Sequence, residues 1–126
     1  MKRRILLIED NEQNRYLATF LLEQRGHDVT HAYAGPAGIE LASCNPPDII
    51  LLDIQLPEMD GYAVARALRR IPALRDTPIM AVTSYAMPGD REKALEAGCT
   101  GYMEKPIDPE TFARDVERHM DEKVRP

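Results

Sequence analysis

The sequence predicts an α/β fold: a doubly wound, five-stranded parallel sheet with five helices packed on its two faces. Three observations carry that reading. Short apolar runs alternate with amphipathic segments from one end of the chain to the other. The run Asp48-Ile49-Ile50-Leu51-Leu52-Asp53 is apolar at consecutive positions, as in a strand covered on both faces, and does not alternate as a half-solvated strand does. The runs also end in chemistry-bearing residues: Glu9-Asp10 after Ile5-Leu6-Leu7-Ile8, then Asp53, Thr83-Ser84 and Lys105-Pro106.

The first strand is expected at about Arg4 to Ile8. Asn11 can cap the helix that follows, with Leu17, Phe20 and Leu21 as its apolar face and Gly26 as its stop. A second strand, about Asp28 to Ala32, is more polar, as an edge strand is. The second helix runs from about Pro36 to Ser43, and Pro46-Pro47 prevents its continuation. The third strand is Asp48 to Asp53. After the loop Gln55-Leu56-Pro57-Glu58-Met59-Asp60-Gly61, a third helix presents Val64, Ala67, Leu68 and Ile71, and Pro72 closes it. The fourth strand is about Ile79 to Thr83. The fourth helix, about Gly89 to Glu96, has an apolar face of little more than Ala94 and Leu95, so it is expected to be the least stable. The fifth strand is about Gly101 to Glu104. Asp108 and Pro109 signal the start of a fifth helix whose apolar face is Phe112, Ala113, Val116, His119 and Met120.

A length of 126 residues fits one domain over 1–126, with its core at about 4–120 and a charged tail at 121–126 that frays. Apolar residues make up 44% and charged residues 29%, a globular composition rather than a disordered one. No apolar stretch approaches the ~20 residues of a membrane span. Met1-Lys2-Arg3-Arg4 is basic, but the apolar run after it ends at Ile8, too short for a signal peptide, so a cytoplasmic location is expected. A net charge of -5 argues against a nucleic-acid surface, and Arg66, Arg69 and Arg70 are expected to form a solvated basic face. Cys44 and Cys99 have no metal-ligand spacing and are expected to be separate thiols, in the core or near the surface.

Right-handed crossovers leave few ways to order five such strands, and the flavodoxin-like order 2-1-3-4-5 fits. It sets Glu9, Asp10 and Asp53 side by side at the carboxyl ends of the first and third strands, where open α/β sheets bind ligands. Carboxylates ~4 Å apart repel by about 4 kcal/mol per pair at an effective dielectric of ~20, so a cation is expected among them. Every donor there is a hard oxygen, with no His or Cys at these strand ends, which selects Mg²⁺, with Mn²⁺ as the alternative. Gln55 is the favoured source of a loop carbonyl ligand. Lys105 supplies a point charge toward phosphate or carboxylate oxygens, and Pro106 fixes a bend behind it. The Thr83 hydroxyl and the Ser84 backbone N–H add two donors. A cation site, a lysine and two donors around one carboxylate suit a phosphoryl group, with Asp53 as nucleophile.

Glu9-Asp10, the segment Asp53 to Gly61, Thr83-Ser84 and Lys105-Pro106 together resemble the response-regulator receiver domain of two-component signalling, over about Arg4 to Met120. The segment Tyr85 to Asp90, Gly98-Cys99 and Tyr102 to Ile107 are similar to single-domain cell-cycle regulators of the DivK type, and to receivers attached to hybrid histidine kinases. Ser84 departs from the alanine or glycine common there. The resemblance implies that Asp53 accepts a phosphoryl group from a histidine kinase or a histidine phosphotransfer protein. It implies that Glu9, Asp10, Asp53 and the Gln55 carbonyl bind Mg²⁺, that Thr83, Ser84 and Lys105 serve the phosphoryl group, and that Tyr102 is the aromatic switch. Thr83 is then expected to move toward the phosphoryl group, Tyr102 to turn inward, and the face of the fourth helix, fifth strand and fifth helix to change. For a chain that is complete as given, the expected output is contact with a downstream protein, and the donor is expected to dock around Gln13, Asn14, Tyr16 and Leu17. Two alternatives differ in kind. A receiver cut from a hybrid kinase shares the site chemistry. An aspartate-nucleophile phosphatase needs a second acid where Gln55 stands and a cap domain. A flavin mononucleotide carrier is disfavoured because Glu9-Asp10-Asn11-Glu12 would repel its phosphate.

Overall fold

The computed structural model describes residues 2–56, 59–84 and 87–122. Pro57 and Glu58 of the third-strand loop, Tyr85 and Ala86 after the fourth strand, and the tail from 123 lie outside the described residues. The strands are β1 (Arg4–Ile8), β2 (Asp28–Ala32), β3 (Ile49–Asp53), β4 (Ile79–Thr83) and β5 (Gly101–Glu104). The helices are α1 (Glu12–Gln24), α2 (Gly35–Cys44), α3 (Gly61–Arg69), α4 (Asp90–Ala97) and α5 (Phe112–Glu122), with a 3-10 turn at Pro72–Leu74. All strand pairs are parallel, in the order β2-β1-β3-β4-β5. This is the expected doubly wound α/β sheet, and its reversal of order falls between β1 and β3.

Side chains alternate across each strand and feed two cores. Leu6, Ile8, Ile50, Leu52, Ile79 and Ala81 face α2, α3 and α4, where they meet Ala42, Val64, Leu68, Ala94 and Ala97. Ile5, Leu7, Ile49, Leu51 and Met80 face α1 and α5, where they meet Ala18, Leu22, Phe112, Val116 and Met120. Every residue of β3 and β4 is buried, which is why those runs read as continuously apolar.

Several details differ from the expected pattern. Asp48 precedes β3, and its carboxylate accepts from the Arg4 N–H at 2.7 Å. On α1, Ala18 and Leu22 are the buried residues, whereas Phe20 is 47% exposed and stacks on Tyr16 with ring centroids 6.4 Å apart. Phe20 lies two residues from each of them, about 200° around the helix, so it points outward. On α3, Ala65 is buried with Val64 and Leu68, and Ala67 only half so. Ile71 and Pro72 lead into the 3-10 turn, which adds a buried Leu74 to the core. On α4 the buried pair is Ala94 and Ala97, at i and i+3, and Leu95 is 46% exposed.

Arg69 is not on a solvated face. Its guanidinium Nε donates to the Gly98 carbonyl at 2.9 Å and its Nη1 to the Leu74 carbonyl at 2.6 Å. α5 begins at Phe112 because Asp108 caps the turn before it: its carboxylate accepts from the Glu110 N–H at 2.9 Å and its carbonyl from the Phe112 N–H at 2.9 Å. His119 is half-buried and bonds the Thr100 hydroxyl at 2.7 Å instead of joining the core. Cys44 is exposed, Cys99 is buried, and both are free thiols. Among the described residues, no helix is long and apolar enough to cross a membrane.

Candidate functional site

The parallel sheet delivers the site residues to one edge. β1 ends in Ile8, and Glu9 follows with its N–H on the Ala32 carbonyl at 3.0 Å, so the chain stays in line with the sheet for one residue more. Asn11 then turns the chain into α1, its side chain accepting from the Asn14 N–H at 2.9 Å. β3 ends in Asp53 itself. β4 ends in Thr83, and β5 in Glu104 just before Lys105, whose N–H donates to the Thr83 carbonyl at 2.7 Å. The Lys105-Pro106 peptide is cis.

Glu9 and Asp53 are each 4% exposed, and Asp10 lies at the surface. One carboxylate oxygen from each of the three lies within 4.8 Å of the others. Lys105 reaches into this cluster: its Nζ is 2.7 Å from Glu9 Oε1 and 3.4 Å from Asp53 Oδ2, so Glu9 is the nearer partner. Asp53 Oδ1 accepts from the Gln55 N–H at 2.9 Å, which leaves Oδ2 facing the lysine. Burial pushes the Glu9 carboxyl up to about 6; the Lys105 ion pair opposes the rise and the neighbouring Asp53 adds to it.

Beside the charged groups lies a small cavity of about 70 Å³ whose wall is largely apolar, including Leu17 of α1, Ile107 and Phe112. Asn14 of α1 also lines it. A low-dielectric wall of this kind strengthens each electrostatic contact at Asp53.

The expected site residues therefore come together: Glu9, Asp10, Asp53 and Lys105 form one cluster. Thr83 is 2% exposed at the end of the neighbouring strand. Two details were not expected. The Ser84 N–H donates to the Gln55 side-chain Oε1 at 3.1 Å, so that donor is engaged by a side chain of the β3–α3 loop. Tyr102 is turned inward here, packed against the α2–α3–α4 core with its hydroxyl buried and without a hydrogen bond, so the inward turn expected on phosphorylation is already made.

Two contributors were not read from the sequence. Arg15 braces the β1–α1 corner: its Nη1 donates to the carbonyls of Glu9 at 3.1 Å and Asp10 at 3.0 Å, and its guanidinium carbon lies 3.9 Å from the Tyr33 ring centroid. Gly61 lets the chain fold back beneath Asp53, where a Cβ would stand 2.4 Å from the Ile54 Cα and 2.9 Å from the Asp53 carbonyl oxygen. An Asp60-Gly61 pair at a helix start was the only available signal for the second, and nothing in the sequence marked the first.

The donor set fits a hard divalent cation. It offers several carboxylate oxygens, at a place where buried negative charge is only partly balanced by one lysine.

An acidic trio with two buried members and a lysine at the carboxyl edge of a 2-1-3-4-5 sheet define a class, and the comparisons agree: the chain belongs to the response regulator receiver domain family, whose model matches residues 5–117. It is 37% identical over 120 residues to the polar-differentiation response regulator DivK of Brucella ovis, covering 95% of this chain and 98% of that protein. Among solved structures it resembles the receiver domain of sensor histidine kinase PA1611 of Pseudomonas aeruginosa, which holds a magnesium ion in its active-site cleft (TM-score 0.87, 35% identity, 96% of this chain and 99% of that one). It also resembles the chemotaxis protein CheY4 of Vibrio cholerae (TM-score 0.88, 26% identity, 94% and 98%).

Proposed function

We propose that this receiver domain is the phosphoacceptor of a two-component phosphorelay and that Asp53 takes the phosphoryl group. The observation that carries the reading is the placement of Asp53: buried at the end of β3, one oxygen fixed by the Gln55 N–H and the other turned to Lys105. The fixed oxygen orients the carboxylate, and Oδ2 is the nucleophile. It forms a bond to phosphorus while the bond from phosphorus to the donor's imidazole nitrogen breaks, and the electron pair leaves with the imidazole. An ionised aspartate needs no base, so orientation and charge stabilisation are what the site supplies.

Lys105 then serves the phosphoryl oxygens, which requires its ammonium to shift from Glu9. Thr83 offers its hydroxyl, and the Ser84 N–H becomes a second donor once the Gln55 side chain releases it. Glu9, Asp10, Asp53 and the Gln55 carbonyl are the residues that would hold Mg²⁺, or Mn²⁺ in its place. The magnesium in the 35% identical receiver of Pseudomonas aeruginosa supports that assignment. When bound, the cation neutralises charge on the carboxylates and the phosphoryl oxygens.

The donor is a histidine kinase or a histidine phosphotransfer protein, and the output is altered binding of a downstream protein through the α4–β5–α5 face. Likeness to a named response regulator and to the receiver of a sensor kinase supports this chemistry for either a free-standing regulator or a domain of a larger kinase. Lys105, Thr83 and Ser84 serve phosphorylation and dephosphorylation of this one chain, so no turnover of an external substrate is assigned.

Acetyl phosphate with Mg²⁺, read by intact mass, tests the reading. The wild-type chain is expected to gain one phosphoryl group, and to gain none with EDTA or as Asp53→Asn. An adduct that persists in Asp53→Asn would remove Asp53 from the role. A folded wild-type chain that takes no phosphoryl group from acetyl phosphate or from a phosphorylated histidine donor would overturn the function.

A further inference from the structure

Tyr62 on α3 and Tyr102 on β5 pack against the same core, and Asp90 is the first residue of α4. Asp90 uses both carboxylate oxygens: Oδ2 accepts from the Met87 N–H at 2.8 Å and Oδ1 from the Tyr62 hydroxyl at 3.4 Å. The first is a sound hydrogen bond. The second is long for an O–H···O bond, which ordinarily ends near ~3.0 Å, so Tyr62 is held loosely.

A second phenol lies in the same field. Burial first, then the Asp90 carboxylate and then Glu104, hold the Tyr102 hydroxyl above its ordinary pKa. Burial, Asp90 and, more weakly, Tyr102 push Tyr62 up to about 12. The Tyr102 hydroxyl is buried without a hydrogen bond. Such a group bears the desolvation penalty in full and calls for an explanation. One carboxylate thus influences two phenols and bonds one of them.

The helix that carries this carboxylate is unevenly anchored. Its C-terminal end is pinned by the Arg69 guanidinium on the Gly98 carbonyl at 2.9 Å. Along its length only Ala94 and Ala97 are buried. Its N-terminal end follows Gly89, in the left-handed region at φ 89°, and is tied to α3 through Asp90.

We propose that Asp90 is a shared acceptor for Tyr62 and Tyr102. Bonded to Tyr62, it holds the first turn of α4 against α3. When Asp53 is loaded, Asp90 passes to Tyr102 and α4 pivots about its Arg69-pinned end. The trigger rests on the phosphoacceptor reading; the sharing does not. The exchange relieves the unpaired Tyr102 hydroxyl and releases Tyr62, so it carries its own compensation.

The test is NMR on protein labelled with ¹³C at tyrosine Cζ, whose shift reports whether the phenol donates a hydrogen bond, with resonances assigned by Phe substitution. In unphosphorylated Tyr62→Phe, which keeps the ring, Tyr102 is expected to move to a bonded shift. The amides of Lys93 and Ala94 are expected to exchange about two- to tenfold faster, while those of Gly98 and Cys99 keep their rates. Asp90→Ala should return Tyr102 to the unbonded shift in the Tyr62→Phe background. A Tyr102 resonance that ignores Tyr62→Phe overturns the sharing. In wild type with excess acetyl phosphate and Mg²⁺, Tyr102 should gain the bonded shift as Tyr62 loses it. A mass adduct without that exchange overturns the trigger. Absence of an adduct counts against the phosphoacceptor reading instead, and the Tyr62→Phe arm still decides the sharing.

Discussion

At the scale of single residues, the site depends on how closely the chain can fold back on itself as well as on its charged groups. Gly61 donates its N–H to the Ile54 carbonyl at 2.9 Å, and its Cα faces backbone where any side chain would collide. Backbone cannot rotate away as a side chain can. Gly61→Ala is therefore expected to cost about 1–3 kcal/mol of stability. It should also slow acetyl-phosphate labelling of Asp53, because the displaced atoms belong to Asp53 and Ile54. Urea titration and intact-mass kinetics check the two effects, and an unchanged midpoint would show that α3 shifts freely. That Glu9, Asp10, Asp53 and Lys105 gather at one edge was legible because each stands at or just after the end of a strand in one parallel sheet. Their pairing was not legible: that Lys105 lies nearer Glu9 than Asp53 depends on where a four-carbon side chain ends, which spacing does not specify.

At the scale of elements, strand limits were read well and helix faces less well. A strand in this sheet is enclosed by its neighbours, so its sequence alone reports its burial. A helix shows its buried side only relative to the sheet beneath it, and the apolarity of Leu17, Phe20 and Leu21 did not locate that side on α1. Phe20 and Leu95 were assigned inward by their apolarity, yet small Ala18, Ala94 and Ala97 are what close approach to the sheet admits. Arg69 was misread because charge type suggests solvent, whereas its long stem lies along buried surface and its head satisfies carbonyls at a helix end. Gly98 completes that joint. It sits at φ 113°, and a Cβ there would meet Arg69 Cγ at 2.5 Å. Gly98→Ala should cost about 1–2 kcal/mol for the left-handed backbone alone, with a lower thermal midpoint and faster amide exchange in α4. Because α1 borders the cavity at Asp53 through Asn14 and Leu17, Asn14→Arg should slow transfer from a phosphorylated histidine protein. Labelling by acetyl phosphate, a small donor that does not need that surface, should change less.

At the scale of the whole molecule, the two ends of the sheet hold opposite arrangements of charge. The carboxyl end gathers acids around one lysine. At the other end Glu117 of α5 receives Arg25 through two bonds of 2.8 and 2.6 Å and the buried His27 through one of 2.7 Å. The Arg3 N–H donates to His27 Nδ1 at 3.1 Å, which leaves Nε2 as the nitrogen that donates to Glu117. Arg25 first, with burial opposing and His27 assisting, holds the Glu117 carboxyl at about 2, against 4.5 when unperturbed. A depressed carboxylate stabilises the fold above its unfolded value and loses that contribution as pH falls through its folded value. Glu117→Gln is therefore expected to lower the denaturant midpoint at pH 7 and to match wild type near pH 2, with the difference closing between about 4.5 and 2. A gap that stays constant with pH would mean the loss is one of packing. Finally, the chain carries two thiols in unlike settings: Cys44 stands exposed at the end of α2, whereas burial pushes Cys99 up to about 11 between α4 and β5. An alkylating reagent should thus tag the native chain once and promptly, and a second time only when the α4–β5 seam opens. The rate of that second tag times how often the α4–β5 seam comes apart, with no substitution added.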